Sequence, residues 1–257
     1  MRFKLLLIFI LFSNFVEAQS PYQLNWKKES IYWGIGAATF TTSRLLKDEP
    51  LTLVEISNLQ SSEVSAFDRS AIFNLSESAR TTSDILLYGS CALTGVLFLN
   101  KKGRSDWKTI AVLYSETLLI NVGITDLTKR VTKRTRPYAY GNLINEDAKQ
   151  STSARHSFFS GHTSLAATNS FFVAKLLTDY FPKNKWRYVI WSTAVLIPAT
   201  TGYMRVKAGR HFKTDVIVGF IAGGLVGYFV PHFHKIQKGK DMSLQIAPTG
   251  FRFVKRF

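Results

Sequence analysis

The sequence predicts an all-α fold: a helical bundle, embedded in a membrane, with about five to six membrane helices. Two observations lead to this prediction. Long apolar stretches recur along the chain, and strand signals are scarce before the C-terminal tail. With 46% hydrophobic and 14% aromatic residues among 257, the chain is rich enough in apolar side chains to form a core, so we do not expect it to be disordered.

Residues 1–18 have the pattern of a signal peptide. Arg2 and Lys4 precede an apolar run from Leu5 to Phe12, and Ala18 supplies a small residue at the cleavage position. We expect cleavage after Ala18, and an uncleaved membrane anchor is the alternative. Both interpretations direct the chain to a membrane.

Residues 19–83 form a predicted N-terminal segment with a short apolar helix, 31–46, followed by a polar loop. This helix is short for a membrane span, at about 16 residues against the usual ~20. It also carries polar residues: Thr39, Thr41, Thr42, Ser43 and Arg44. We therefore expect it to lie in the membrane interface or to pack against the outside of the bundle.

Residues 84–234 form the predicted helical-bundle domain, with apolar stretches at 84–100, 109–127, 160–178, 186–204 and 214–231. Buried helices of a soluble protein are the alternative. Residues 214–231 are apolar on all sides apart from Asp215, whereas a soluble surface helix has a polar face. Its small residues suit close helix packing in lipid: Gly219, Gly223, Gly224 and Gly227. In the tail, 235–257, an alternating pattern fits either a strand or an unstructured segment.

The formal net charge of +16 comes largely from short basic clusters between the apolar stretches. Three of these clusters occupy alternate connections: Lys101, Lys102, Arg104 and Lys108; Lys183, Lys185 and Arg187; Lys235, Lys238 and Lys240. The positive-inside rule places all three in the cytoplasm, so the connections 128–159 and 205–213 face outward. Because no single basic tract exists, we expect no nucleic-acid partner. The single cysteine, Cys91, cannot form an internal disulfide.

The first motif is KRVTKRTRP, from Lys129 to Pro137. Lys129 and Arg136 are seven residues apart, which on a helix would place both side chains on one face. Two such cations suit an anionic group such as phosphate. An ordinary basic cluster beside a membrane helix is the alternative, but the positive-inside rule disfavours it on the outer side.

The second motif is FFSGHTS, from Phe158 to Ser164. Ser160 is positioned to cap a helix that begins here, and Gly161 lets the backbone approach a ligand closely. The free N–H groups of a first helical turn bind anions. In the same turn, His162 can give a proton to a leaving oxygen.

The third motif is RVKAGRHFKTD, from Arg205 to Asp215. His211 and Asp215 are four residues apart, so on a helix they would be neighbours. A carboxylate that accepts from one ring nitrogen leaves the other nitrogen free as a nucleophile. Arg205 adds a forked cationic donor for phosphate oxygens. A surface His–Asp pair among basic residues is the alternative.

Taken in order, the three motifs resemble those of the type-2 phosphatidic acid phosphatase superfamily. That superfamily includes lipid phosphate phosphatases, class A acid phosphatases and vanadium haloperoxidases, and the helix order here is similar to its membrane-bound bacterial branch. The sequence departs from the family pattern at Phe159, where Pro is usual, and at Met204, where Ser is usual. These departures bear on substrate preference more than on activity.

The resemblance implies a role for each motif residue. His211 attacks phosphorus, Asp215 orients His211, and His162 protonates the leaving oxygen. The phosphoryl oxygens are held by Lys129, Arg136, Ser160, Gly161 and Arg205. The resemblance implies no metal and no cofactor.

We therefore expect a phosphatase of lipid phosphates or diphosphates that forms a phosphohistidine. Its partners would be the lipid substrate and the bilayer, in a bacterial inner membrane with the active site facing the periplasm. Two alternatives remain. One is a soluble periplasmic acid phosphatase of broad specificity, and the other is a non-catalytic membrane protein that binds lipid headgroups.

Overall fold

The computed structural model describes residues 20–236, 242–247 and 250–255, so the predicted signal peptide lies outside the described residues. The predicted helical bundle is confirmed. Six long helices form it within the described residues: α1 (Trp26–Leu45), α2 (Glu77–Ala92), α3 (Trp107–Thr132), α4 (Gly161–Tyr180), α5 (Arg187–Lys207) and α6 (Lys213–His234).

The connections contain short helices, and the tail contains a hairpin. Short α-helices cover Leu53–Asn58, Ala66–Arg69, Lys101–Ser105, Pro137–Tyr140 and Glu146–Lys149. Single 3₁₀ segments cover Ser61–Glu63, Ser70–Phe73, Leu93–Leu99 and Thr152–Arg155. The hairpin pairs β1 (Met242–Ala247) with β2 (Gly250–Lys255) in antiparallel register, with Met242 opposite Lys255. Of the two possibilities for the tail, the structure has the strand.

Three helices are long and apolar enough to cross a membrane by length and composition: Glu77–Leu99, Trp107–Tyr140 and Lys213–His234. Helix α4 is less apolar because it is the most enclosed helix of the bundle. Its polar side chains Thr168 and Asn169 are fully buried, and their hydroxyl and amide groups bond within the bundle. A helix that other helices enclose does not face lipid, so it can carry polar side chains as long as they are hydrogen-bonded inside the bundle.

Helices α4 and α6 approach closely along a row of small residues. A Cβ placed on Gly223 would lie 2.0 Å from the carbonyl oxygen of Ser164, and one on Gly227 would lie 2.4 Å from that of Thr168. The same holds for Gly219 against Ser160, at 2.7 Å. The glycines at 219, 223 and 227 thus serve the close packing that the sequence predicted, whereas Gly224 faces the ring of Phe171.

The N-terminal helix differs from its prediction. Helix α1 has 20 residues rather than about 16, because Asn25 caps it and the polar residues of its first turn are helical. It packs along α3, where Gly36 contacts Leu119. Its two ends lie at opposite ends of the bundle: Gln23 donates to the carbonyl of His234, and the carbonyl of Leu46 accepts from Arg130. At 1.5 Å per residue α1 is about 30 Å long, which is the thickness of a bilayer core.

The two ends of the bundle differ in composition. At one end, called here the basic end, Lys102 donates to the carbonyl of Tyr180, and Tyr22 pairs with Lys235. The three motifs lie at the opposite end, where α3 ends and where α4 and α6 begin. All the motif residues therefore face one side of the molecule.

Candidate active site

His211 lies at the centre of the motif end of the bundle. Its side chain is 1% exposed, and its Nδ1 lies 2.7 Å from the carbonyl oxygen of Ser157. A carbonyl oxygen only accepts, so Nδ1 carries the proton and Nε2 keeps its lone pair. Burial lowers the pKa of His211 well below its usual value, and the charges of Arg136, Arg205 and Lys129 lower it further. The result is a neutral imidazole among three cations.

Asp215 contacts this histidine indirectly, which differs from the predicted direct pair. Helix α6 begins at Lys213, so His211 precedes the helix rather than sharing a face of it with Asp215. The Oδ2 atom of Asp215 lies 3.7 Å from Nδ1 of His211, beyond hydrogen-bond distance. It accepts instead from the hydroxyl of Ser157 at 2.5 Å and from the backbone N–H of Phe212 at 2.8 Å. Asp215 thus fixes the segment whose carbonyl orients His211.

Charged groups that the sequence did not predict hold Asp215 in turn. Arg134 donates to Asp215 at 2.5 Å and to Asp68 at 2.8 Å. Asp68 also accepts from the backbone N–H of Thr214 at 3.0 Å and from its hydroxyl at 2.6 Å. Asp68 belongs to the loop before α2, so this loop is tied to the start of α6.

The start of α4 meets the end of α3. Ser160 caps α4 as predicted, and its hydroxyl accepts from the backbone N–H of Thr163 at 3.4 Å. A Cβ on Gly161 would lie 3.0 Å from Nζ of Lys129, so the lysine ammonium reaches the first turn of α4. Helix first-turn amides with an ammonium beside them are the kind of donors that bind anions.

Two buried arginines complete the cationic wall. Helix α3 ends at Thr132, so Arg136 lies in the following loop and shares no helical face with Lys129. Arg136 and Arg205 are 9% and 5% exposed, and the Nε atom of each has no hydrogen-bond partner among the described residues. A buried guanidinium with an unused donor is costly unless an anion takes that donor.

His162 has a partner on α2 that the sequence reasoning also missed. Its Nε2 lies 2.8 Å from Oδ1 of Asp84, and the same carboxylate lies 3.6 Å from Arg205. Arg205 also donates to the hydroxyl of Ser83 at 3.2 Å. The carboxylate accepts from Nε2–H, which leaves Nδ1 as the second ring nitrogen available for proton transfer. The sequence did contain one indication of this role: Asp84 is the one acidic residue in the apolar stretch 84–100, and it is the first residue of that stretch.

The structure therefore brings all eight predicted residues to one end of the bundle. His211 lies within range of the charges of Lys129, Arg136 and Arg205, and Ser160 and Gly161 start the helix that carries His162. The backbone N–H of Ser160 donates to the carbonyl of Asp215, which joins the second and third motifs directly. The arrangement offers a neutral nucleophile, a proton donor and several donors for an anion.

Known proteins are similar to this chain in sequence. The chain is 25% identical over 143 residues to a lipid A 4'-phosphatase from Porphyromonas gingivalis, an alignment that covers 55% of this chain and 57% of that protein. It is 25% identical over 158 residues to an undecaprenyl-diphosphatase from Sulfolobus acidocaldarius, covering 62% of this chain and 63% of that protein. The chain thus spans about three fifths of the length of these relatives.

The chain also aligns with one solved structure. That structure is a transmembrane PAP2 type phosphatidylglycerolphosphate phosphatase from Bacillus subtilis, with a TM-score of 0.49 and 20% sequence identity. The superposition covers 81% of this chain and 98% of that one.

The family model of the PAP2 superfamily matches residues 110–238, about half of the chain. That range contains all eight predicted site residues, from Lys129 to Asp215. The chain therefore belongs to the PAP2 superfamily.

Proposed function

We propose that this protein is a phosphatase that hydrolyses lipid phosphate or diphosphate monoesters through a phosphohistidine on His211. One observation carries the proposal. His211 is buried and neutral, its Nδ1 is held by the carbonyl of Ser157, and its Nε2 keeps a lone pair within range of the charges of Lys129, Arg136 and Arg205. A neutral imidazole is a nucleophile, and surrounding cations attract the anionic substrate that it attacks.

In the first step, the lone pair of Nε2 of His211 forms a bond to phosphorus while the bond from phosphorus to the leaving oxygen breaks. His162, in its protonated form beside Asp84, transfers a proton to that oxygen. Lys129, Arg136 and Arg205, with the first-turn amides of α4, bind the three other phosphoryl oxygens. They supply the charge stabilisation that magnesium supplies in other phosphoryl-transfer sites, so no step needs a metal.

In the second step, water attacks the phosphohistidine. His162 is now neutral and takes a proton from that water, and the bond between phosphorus and Nε2 breaks. Inorganic phosphate leaves, and both histidines return to their starting states. Asp215 acts at a distance in both steps, because it holds the segment that orients His211.

A lipid substrate is supported by the surface beside the site. Helix α6 is long and apolar enough to cross a membrane, and large apolar side chains lie exposed along it: Ile217, Ile221, Leu225 and Phe229. Such a surface suits acyl or prenyl chains better than water, so we prefer a membrane enzyme to a soluble acid phosphatase. By the positive-inside rule the basic end faces the cytoplasm and the site faces the periplasm.

The two relatives act on different lipids by name, a lipid A phosphate and an undecaprenyl diphosphate. We therefore propose the shared chemistry, a terminal phosphate on a membrane lipid. Residues 84–234 form the catalytic unit in this proposal.

The test uses the full-length protein purified in detergent and assayed on both classes of lipid phosphate. We expect His211→Asn to lose at least about a thousandfold in kcat, since it removes the nucleophile. His232→Asn, which changes an exposed histidine at the basic end, is the matched control and should keep its activity. Brief reaction with ³²P-labelled substrate should label the wild type through an acid-labile bond, and near-normal turnover of His211→Asn would refute the mechanism.

Inhibitors test the charge stabilisation separately. Vanadate, which imitates the five-coordinate phosphorus, should inhibit, and EDTA should leave turnover at 25 °C unchanged. Loss of turnover in EDTA with recovery in magnesium would contradict the cationic site.

A further inference from the structure

Three buried side chains at the basic end form a cluster that the phosphatase mechanism does not use. Glu29 of α1, Glu116 of α3 and His234 of α6 are all buried, and one ligand atom from each lies within 4.8 Å of the other two. His234 Nε2 lies 3.2 Å from Oε1 of Glu29 and 3.6 Å from Oε2 of Glu116. The cluster is about 20 Å along α3 from Lys129, at 1.5 Å per residue.

The atoms that face the cluster have no other partner. Both carboxylate oxygens of Glu116, Oε1 of Glu29 and Nε2 of His234 are buried without a hydrogen bond among the described residues. Glu116 is 0% exposed. Buried polar atoms are normally satisfied, and a carboxylate with neither bond nor solvent is costly.

The atoms that face away from the cluster are fixed. Nδ1 of His234 donates to the carbonyl of Val230 at 2.7 Å, and Oε2 of Glu29 accepts from the backbone N–H of Asn25 at 2.7 Å. The first contact sets the tautomer in which the Nε2 lone pair points at the two glutamates. Histidine and carboxylate ligands of metals are oriented by outer contacts of this kind.

Charge indicates the kind of ligand that the cluster would bind. When both are ionised, the two carboxylates carry two negative charges, and Lys28 in the first turn of α1 is exposed and donates to the carbonyl of Phe233. Protonation of His234 would neutralise only one carboxylate. A divalent cation neutralises both and uses the imidazole lone pair as well.

We propose that Glu29, Glu116 and His234 bind one divalent transition-metal ion of the zinc class. An imidazole with two carboxylates suits zinc and its neighbours, whereas magnesium and calcium prefer oxygen ligands alone. Glu29 also lines a cleft of about 440 Å³ with Trp26, Trp33 and Val112, which gives the ion a route from the surface and a place for a water ligand. Because its ligands come from three helices, the ion fastens α1 to α3 and α6.

The experiment uses the full-length protein in detergent, stripped with EDTA and then titrated with Zn²⁺ or Co²⁺. We expect one equivalent of either ion per chain, a visible absorption band for bound Co²⁺, and no comparable binding of Mg²⁺ or Ca²⁺. Zn²⁺ should raise the unfolding temperature while phosphatase turnover at 25 °C stays unchanged.

Two variants and a control test whether Glu116 and His234 bind the metal ion. Glu116→Gln and His234→Asn should weaken Co²⁺ binding at least about tenfold and remove the thermal shift. His232→Asn, two residues away on the same helix and exposed, should bind as the wild type does. If one of these variants fails to fold, Glu29→Gln on α1 takes its place, and it should also weaken Co²⁺ binding and remove the thermal shift. Absence of stoichiometric Zn²⁺ or Co²⁺ binding in the wild type, or equal binding in the variants, would overturn the proposal in favour of a protonated His–Glu cluster.

Discussion

Among single residues, Asp84 is the position at which a substitution can distinguish proton donation from phosphate binding. Its carboxylate lies 2.8 Å from Nε2 of His162, so it stabilises the imidazolium that protonates the leaving oxygen. Arg205 lies farther from it, at 3.6 Å, and keeps its contact with Ser83. A change at Asp84 should therefore act on the chemical step more than on substrate affinity.

We expect Asp84→Asn to lower kcat about 10- to 1000-fold for a lipid phosphate, whose alkoxide leaving group needs a proton. With p-nitrophenyl phosphate, whose leaving group needs none, the loss should be under about tenfold. Glu77→Gln, an exposed change on the same helix, is the control for α2. An equal loss with both substrates, or a rise in KM alone, would assign Asp84 to phosphate binding instead.

His211 gives a prediction about pH and stability. Burial and three cations keep its pKa well below the usual value, so the unfolded chain takes up a proton near pH 6.5 that the native state does not bind. Below pH 6.5 the native state therefore loses stability, until the pH reaches the lowered pKa. Between pH 7.5 and 5.5, the wild type should lose up to about 1.4 kcal/mol more than His211→Asn. Chemical unfolding in detergent at both pH values measures this, and equal losses would show that folding does not lower the pKa of His211.

The sequence motifs predicted eight site residues that the structure brings to one end of the bundle, because each motif is short and orders its own residues. The sequence could not supply their partners. Ser157 contacts Asp215 across 58 positions and Asp84 contacts His162 across 78, so only the folded bundle brings them together. The predicted helical pairing of His211 with Asp215 failed for a local reason, because α6 begins after His211.

At the scale of helices, the row of small residues between α4 and α6 fixes the site. The glycines at 219, 223 and 227 let α6 approach the backbone of α4, and the first turns of both helices carry active-site residues. Glycine spacing in the sequence predicted close packing. It could not identify α4 as the partner, since the facing residues Ser160, Ser164 and Thr168 are small but unremarkable in the sequence.

We expect Gly223→Ala to destabilise the protein by about 1–3 kcal/mol, because its Cβ would lie 2.0 Å from the carbonyl oxygen of Ser164. Activity should fall with it as the starts of α4 and α6 separate. Gly89→Ala in α2 is the matched control, since nothing lies within 4 Å of its Cβ. It should be neutral or up to about 1 kcal/mol stabilising. Thermal unfolding in detergent compares the two, and equal stability would show that α4 and α6 can adjust.

At the scale of the whole molecule, helix α1 determines the topology. The sequence predicted that 31–46 does not cross the membrane, because the stretch is short for a span and carries several polar residues: Thr39, Thr41, Thr42, Ser43 and Arg44. In the structure Glu29 is buried against His234, and α1 runs along α3 from the basic end to the motif end. If α1 crosses, the six long helices make six crossings, and both termini of the described bundle lie at the basic end.

This arrangement conflicts with the predicted cleavage after Ala18. Cleavage would release residue 19 on the outer side, whereas Tyr22 pairs with Lys235 at the basic end. If the site faces the periplasm, as proposed, a crossing α1 and cleavage after Ala18 cannot both be correct. The geometry of α1 favours the crossing, because its length matches the bilayer core and its contacts with α3 extend over its whole length.

Cysteine labelling in intact cells distinguishes a crossing α1 from a non-crossing α1 that follows a cleaved signal peptide. Cys91 is first changed to Ser, and single cysteines are then placed at three exposed positions: Lys27, Ser62 and Lys183, the last in the α4–α5 connection of the basic end. If α1 crosses, an impermeant maleimide should label position 62 from outside and should label 27 and 183 only after the membrane is opened. The Lys183 probe is the control for the basic end, and the Ser62 probe for the motif end. Labelling of position 27 from outside, with 183 still protected, would show that α1 does not cross and that residue 19 can be the free N-terminus of a cleaved chain.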